Sequence, residues 1–267
     1  MPALSGTRQD GWTIESAAEA MDRGDIQFAG KYSEPDFERL VQAHCDLAVE
    51  SMMIFHSPQI KELIELLGIP VFVDRSSSEA HPLGRVEWVK LYGLLLGREA
   101  EAEAVYRRQA EIVESLSGAT GSGRTVAFFA LKADGSVTVR GTEDYIVKSI
   151  ELAGGEYVFD VMEGQEMNAA VSITMEAFYE AAAEADFLIY NASIEAPVTQ
   201  VGELLRAQPL LADFKAVREG RVFCTTKSLY QATDGIGTFI GDLRRMLSGE
   251  TEGMAFLYVL NDGEAQR

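Results

Sequence analysis

The residues of this chain that could hold a ligand fall at the ends of predicted strands. In open parallel sheets ligands sit beyond the carboxyl ends of strands. That rule selects Lys31 and Tyr32, then His56, then the loop 76–81, which carries Ser77, Glu79 and His81. In the second half it selects Arg140, Tyr190, Asn191 and the run 225–231, which carries Lys227 and Tyr230. Tyrosines stack and hydrogen-bond, and lysine and arginine make charge-assisted bonds. A site built from them suits a bulky, partly aromatic, anionic ligand.

Other chemistries find less support. The histidines His44, His56 and His81 all lie in the first third of the chain. His56 and His81 with carboxylates from the second half could bind zinc or manganese, but no HxH or HExxH spacing supports this, and no metal is assigned. The run GATGSGR at 118–124 leads into a strand and not a helix, so it is no phosphate loop. GxSxG, CxxC and cofactor fingerprints are absent from the sequence. The expectation is a non-enzymatic chain without a cofactor.

The elements that position these residues alternate between strand and helix. A polar start at 1–11 reads as loose, followed by a helix over 13–21 and a strand over 26–29. A loop GKYSEP leads to a helix over 36–43, capped by Ser33 or Asp36, and an apolar strand over 47–54. Ser57-Pro58 opens a helix that ends on Gly68, and PVFVDRS is the next strand. A short helix then precedes Gly97, and a long one of about 18 residues, some 27 Å at 1.5 Å per residue, follows over 99–116. GATGSG at 118–123 breaks the chain. The second half brings TVAFFALK, a turn at Asp134-Gly135, SVTVRG, then helices and the strands FLIYNAS and RVFCTT, and a last helix near 237–247. This rhythm predicts an α/β protein of two lobes, each with a mainly parallel sheet flanked by helices, joined by one long backbone helix. The expected boundaries are 1–97 for the first lobe, 98–117 for the helix and 118–267 for the second lobe.

Composition sets outer limits. The chain has 267 residues, 47% of them hydrophobic, and a formal net charge of −19. That charge argues against nucleic acid and anionic membrane surfaces as partners. Cys45 and Cys224 lie in apolar contexts and read as free thiols. No apolar run is long enough to span a bilayer, so direct membrane insertion is not expected, and no basic-then-apolar leader is visible at the start. Composition by itself points to the cytoplasm.

The segments AGKYSEPDFERL, HCDLAVESMMIFHSP, GIPVFVDRSSSEAHPLGRVEWVKLYG, SIELAGGEYVF, TMEAFYEAAAEADFLIYNAS and LLADFKAVREGRVFCTTKSLYQ resemble the solute-binding components of iron-complex and cobalamin ABC importers. The resemblance implies an extracytoplasmic, often lipid-anchored, binding subunit with two lobes joined by one rigid helix. It implies capture of a ferric siderophore, haem or corrinoid in the cleft between lobes and delivery to an ABC transporter permease. In that family one glutamate on each lobe docks into arginine pockets of the permease, and Glu38 in PDFERL and Glu176 in TMEAFYEAAAEADFLIY match those positions. Family members begin with further strands, so the first lobe is expected to be incomplete. A zinc- or manganese-binding relative and a truncated fragment that binds nothing are the alternatives.

Overall fold

A computed structural model describes residues 2–116, 121–160, 170–193 and 195–261. The chain forms two compact units, Met1–Ser77 and Ser78–Arg267.

In the first unit, β1 (Ala3–Ser5) pairs parallel with β2 (Ile26–Phe28), and α1 (Glu15–Asp22) lies between them in sequence. The start of the chain, expected to be loose, is therefore a strand. Its order comes from backbone bonds, Ala3 N–H to Asp25 at 2.8 Å and Ala29 N–H to Ser5 at 2.9 Å, which side-chain patterning does not reveal. β3 (Gly30–Lys31) and β4 (Glu34–Pro35) form a tight antiparallel hairpin where a loop was expected. Gly30 sits at φ 90°, and a side chain there would meet the Glu34 carbonyl at 2.3 Å. Asp36 accepts the Arg39 N–H at 3.0 Å and caps α2 (Phe37–Gln42). β5 (Ala48–Ser51) runs parallel to β6 (Val71–Asp74) around α3 (Pro58–Leu66), the βαβ unit that the sequence predicts. Ala29, Leu40, Ile64 and Ile69 make a small core, with Cys45 packed against it.

The second unit opens with α4 (Pro82–Leu96) and α5 (Glu99–Leu116), the latter with the predicted bounds. Gly97, at φ 65°, turns the chain between them. Gly93 faces Ala102, and Lys90 reaches both Glu103 and the Tyr106 ring, so the two helices form an antiparallel hairpin. α5 also packs on α10 (Ile236–Ser248). α5 is thus one arm of a hairpin packed within the second unit, which begins at Ser78. The expected break over 118–123 lies partly outside the described residues.

Among the described residues, seven strands form the sheet of this unit. They are β7 (Thr125–Leu131), β8 (Val137–Arg140), β9 (Glu156–Tyr157), β10 (Ala170–Ile173), β11 (Phe187–Tyr190), β12 (Val222–Thr225) and β13 (Leu257–Val259). Its centre is parallel, β9, β7, β11 and β12, while β8, β10 and β13 add antiparallel edges. α6 (Tyr145–Leu152), α7 (Met175–Ala182), α8 (Val201–Ala207) and α9 (Lys215–Arg218) complete the α/β arrangement. Every residue of β11 and β12 is buried, which explains their unbroken apolar runs FLIY and VFCT. Asp186 ties the starts of β7 and β11 together, accepting from the Thr125 N–H at 3.0 Å and from Lys215 at 2.8 Å. The core joins Phe129, Phe178, Leu188, Phe214 and Val222. Cys45 and Cys224 are free thiols.

Candidate functional site

Each unit carries part of the predicted set, and the structure distributes it unevenly. In the first unit, His56 is exposed at the end of a 3-10 turn that follows β5, and Ser77 is exposed just beyond β6. Both thus follow the carboxyl ends of a parallel strand pair. Tyr32 sits on the β3–β4 hairpin, half-buried.

In the second unit, Glu79 and His81 serve the start of α4. Glu79 accepts from the Trp88 indole N–H at 3.0 Å, and His81 Nδ1 accepts from the Leu83 N–H at 3.2 Å as the helix cap. Tyr190 is only 7% exposed, and its ring packs edge-on against Phe129 inside the core. Its place at a strand end suggested a ligand contact, but in a fully buried strand the last residue is still core. Asn191 is buried and turns its Oδ1 back to the Ser193 N–H at 3.2 Å. Ala192 N–H bonds Thr225 Oγ1 at 2.9 Å, which holds the ends of β11 and β12 side by side. Beyond β12, a 3-10 turn over Lys227–Tyr230 presents Lys227 and Tyr230 to solvent, Tyr230 with 66% exposure.

Arg140 does not join that group at the strand ends. The Asp134-Gly135 turn makes β7 and β8 an antiparallel hairpin, with Ala130 opposite Thr138. Continuing that register carries Arg140 back to the level of Phe128, whose ring lies 6.0 Å from its guanidinium carbon. β8 and β9 share one edge of β7, β9 pairing with its first residues and β8 with its last. Arg140 lies at this fork, where its N–H donates to the Tyr157 hydroxyl oxygen at 2.8 Å.

A second set of residues, which the strand-end rule did not select, surrounds Arg140. Asp144 caps α6 by accepting the Ile146 N–H at 2.8 Å, and its other oxygen lies 3.5 Å from Arg140 Nη1. Arg85, in the first turn of α4, lays its guanidinium over the Tyr145 ring with 3.9 Å from carbon to centroid. Burial pushes the Asp144 carboxyl above its ordinary range against the opposing pull of Arg140 and Arg85. Burial likewise raises the hydroxyls of Tyr145 and Tyr157, so both stay protonated and can donate hydrogen bonds. The group thus combines two guanidiniums, one occupied carboxylate and two neutral phenols, a composition suited to an anionic, partly aromatic ligand. Nothing in spacing marks Arg85 or Tyr145, because both sit inside helical patterns. Among the described residues no three His, Cys, Asp or Glu side chains gather as a metal site.

The chain is thus a parallel-centred sheet flanked by helices, preceded in sequence by a helical hairpin and a smaller α/β unit. The profile of the family described as "Periplasmic binding protein" matches residues 5–229. The chain belongs to that family. Among solved structures, the periplasmic haem-binding protein HutB of Vibrio cholerae matches with a TM-score of 0.69 and 14% identity, over 93% of this chain and 98% of that one. The siderophore periplasmic binding protein from the fuscachelin gene cluster of Thermobifida fusca matches with a TM-score of 0.65 and 20% identity, over 93% and 90%. An uncharacterized lipoprotein of Methanocaldococcus jannaschii is 23% identical over 227 residues, 82% of this chain and 52% of the relative. A second lipoprotein of that organism is 27% identical over 203 residues, 73% of this chain and 50% of the relative. The chain spans about half the length of these curated relatives. No helix among the described residues is long and apolar enough to cross a membrane.

Proposed function

We propose that this chain is the extracytoplasmic solute-binding subunit of an ABC importer. It captures an iron complex, a ferric siderophore or haem, or a corrinoid, and passes it to a permease. The supporting observation is the shared fold, over 93% of the chain, with proteins that bind haem and siderophore. The second unit supplies chemistry that fits such cargo. Lys227 and Tyr230 stand exposed beyond β12, and Arg140 with its neutral phenolic neighbour Tyr157 stands at the β8–β9 fork. Guanidinium and ammonium groups hold the anionic donor groups of an iron complex, and tyrosines stack on its conjugated parts. Binding is the function in this reading, and chemistry on the cargo is not.

Thermal unfolding with haem, a ferric trihydroxamate, cobalamin and zinc chloride, each paired with an absorbance spectrum after gel filtration, tests the reading. At a ligand concentration a hundred times Kd, one of the coloured complexes should stabilise the protein by about 2.7 kcal/mol and co-elute with it. Stabilisation by zinc with no response to the coloured complexes would refute it.

A further inference from the structure

Arg85 Nε is buried and is, among the described residues, the one buried side-chain nitrogen or oxygen without a hydrogen-bond partner. Buried donors in folded proteins are almost always satisfied, so such an atom asks for an explanation. The guanidinium makes no ion pair among the described residues either; its contact is with the Tyr145 ring, which covers one face. Nearby acids are occupied. Asp144, 4% exposed, is taken by the Ile146 N–H and by Arg140. Glu79, which approaches Gly84 in the same helical turn, is taken by Trp88. One buried carboxylate therefore lies near two guanidiniums and is hydrogen-bonded to Arg140, and no ion pair among the described residues includes Arg85.

We propose that Arg85, held flat by Tyr145, is an anchoring subsite for a carboxylate of the bound solute. The flat guanidinium presents a fork of N–H donors whose spacing matches the two oxygens of a carboxylate. Stacking on Tyr145 fixes its plane before the ligand arrives, which lowers the entropy lost on binding. Asp144 keeps Arg140 turned toward the start of α6 and leaves Arg85 as the free member of the pair. The cargo is thereby narrowed to complexes that carry a free carboxylate, such as ferric citrate or the propionates of haem. This narrowing rests on the solute-binding reading above; the carboxylate subsite itself does not.

The decisive experiment follows the Arg85 Nε–Hε resonance, identified by its absence in Arg85→Lys, while citrate is titrated into the full chain. A saturable shift is expected with citrate and none with the neutral triamide of the same acid. Arg85→Gln should weaken citrate binding roughly 10- to 100-fold, the worth of a charge-assisted hydrogen bond. Arg85→Lys, which keeps the charge and loses the fork, should fall between, and circular dichroism of both variants checks the fold. An unmoved Nε–Hε resonance, or citrate affinity unchanged in Arg85→Gln, overturns the proposal. A parallel panel separates the two readings. Loss of affinity in Arg85→Gln for haem but not for haem dimethyl ester supports the subsite, and equal loss for both argues against it. Failure of every iron complex to bind the unaltered chain removes the solute-binding reading, while the citrate titration still decides the subsite.

Discussion

Gln109 of α5 and Thr238 of α10 are joined side chain to backbone, Thr238 N–H donating to Gln109 Oε1 at 2.9 Å. The approach is possible because the preceding residue is Gly237. A methyl group there would lie 2.5 Å from the Gln109 carbonyl oxygen, an atom of a helix backbone that has nowhere to move. This contact, with Gly93 against Ala102, fastens α5 into the second unit.

Gly237→Ala should therefore destabilise the protein, although alanine is the better helix former by about 1 kcal/mol. The steric cost of overpacking, about 1–3 kcal/mol and more when backbone must shift, wins. Gly202 in α8 is the control, since nothing lies within 4 Å of a side chain placed there. Gly202→Ala should leave stability unchanged or raise it. Urea unfolding of the two variants checks this: a lower midpoint is expected for the first alone, and equal midpoints would show that α5 and α10 are not closely locked.

Much of this was legible in the sequence, and the failures have physical causes. The bounds of α5 follow from a run free of glycine and proline, closed off by Gly97. Which unit that helix belongs to does not follow, because it depends on small residues facing other helices at long range. The direction of β8 was legible in principle: a tight Asp134-Gly135 turn allows only an antiparallel partner, and so removes Arg140 from the other strand ends. Tyr190 misled because a strand buried on both faces has no alternation to mark where core stops. Arg85 could not be found by a rule that searches loops. It became visible only through its unpartnered nitrogen.

Asp186 makes acid sensitivity predictable. Burial alone would raise its pKa, but the Lys215 ammonium and the Thr125 N–H more than offset this and hold it below the ordinary 3.8. A carboxylate with a depressed folded pKa contributes stability that is present above the unfolded value and lost as pH falls through the folded one. Asp186→Asn should cost roughly 1–3 kcal/mol at pH 7, in line with charged hydrogen bonds. The difference from the unaltered chain should shrink steadily below about pH 4. Guanidinium unfolding at a series of pH values measures it, and a pH-independent difference would mean that Asp186 acts through packing and not through charge.

Tyr157 holds the fork between β8 and β9 by accepting the Arg140 N–H. Tyr157→Phe keeps the ring and its edge-on contact with Phe159 but leaves that N–H without its acceptor. A loss of about 1–3 kcal/mol in stability is expected for an unsatisfied buried donor. Affinity for the coloured complex should fall too, because Arg140 then loses its fixed position. Thermal unfolding and ligand titration in parallel separate the two effects. Unchanged affinity alongside lowered stability would confine Tyr157 to a structural part.

Glu38 and Glu176 are the residues proposed to meet the permease. Both are exposed acids in the first turn of a helix, α2 and α7. A carboxylate in that place is also favoured by the helix dipole, worth about 0.3–1 kcal/mol, so position alone does not assign a partner. Glu38 has local work as well, accepting from Gln42 at 2.8 Å. Charge reversal distinguishes the two roles. In Glu38→Arg with Glu176→Arg, the dipole contribution predicts a small loss of stability and no more. Docking predicts in addition that association with the permease in proteoliposomes, and transport, disappear while the coloured ligand still binds with unaltered affinity. Glu38→Gln with Glu176→Gln removes charge without adding repulsion and should weaken association less than the reversal does. If both double variants associate as the unaltered chain does, these glutamates are helix-end acids and the permease is met elsewhere.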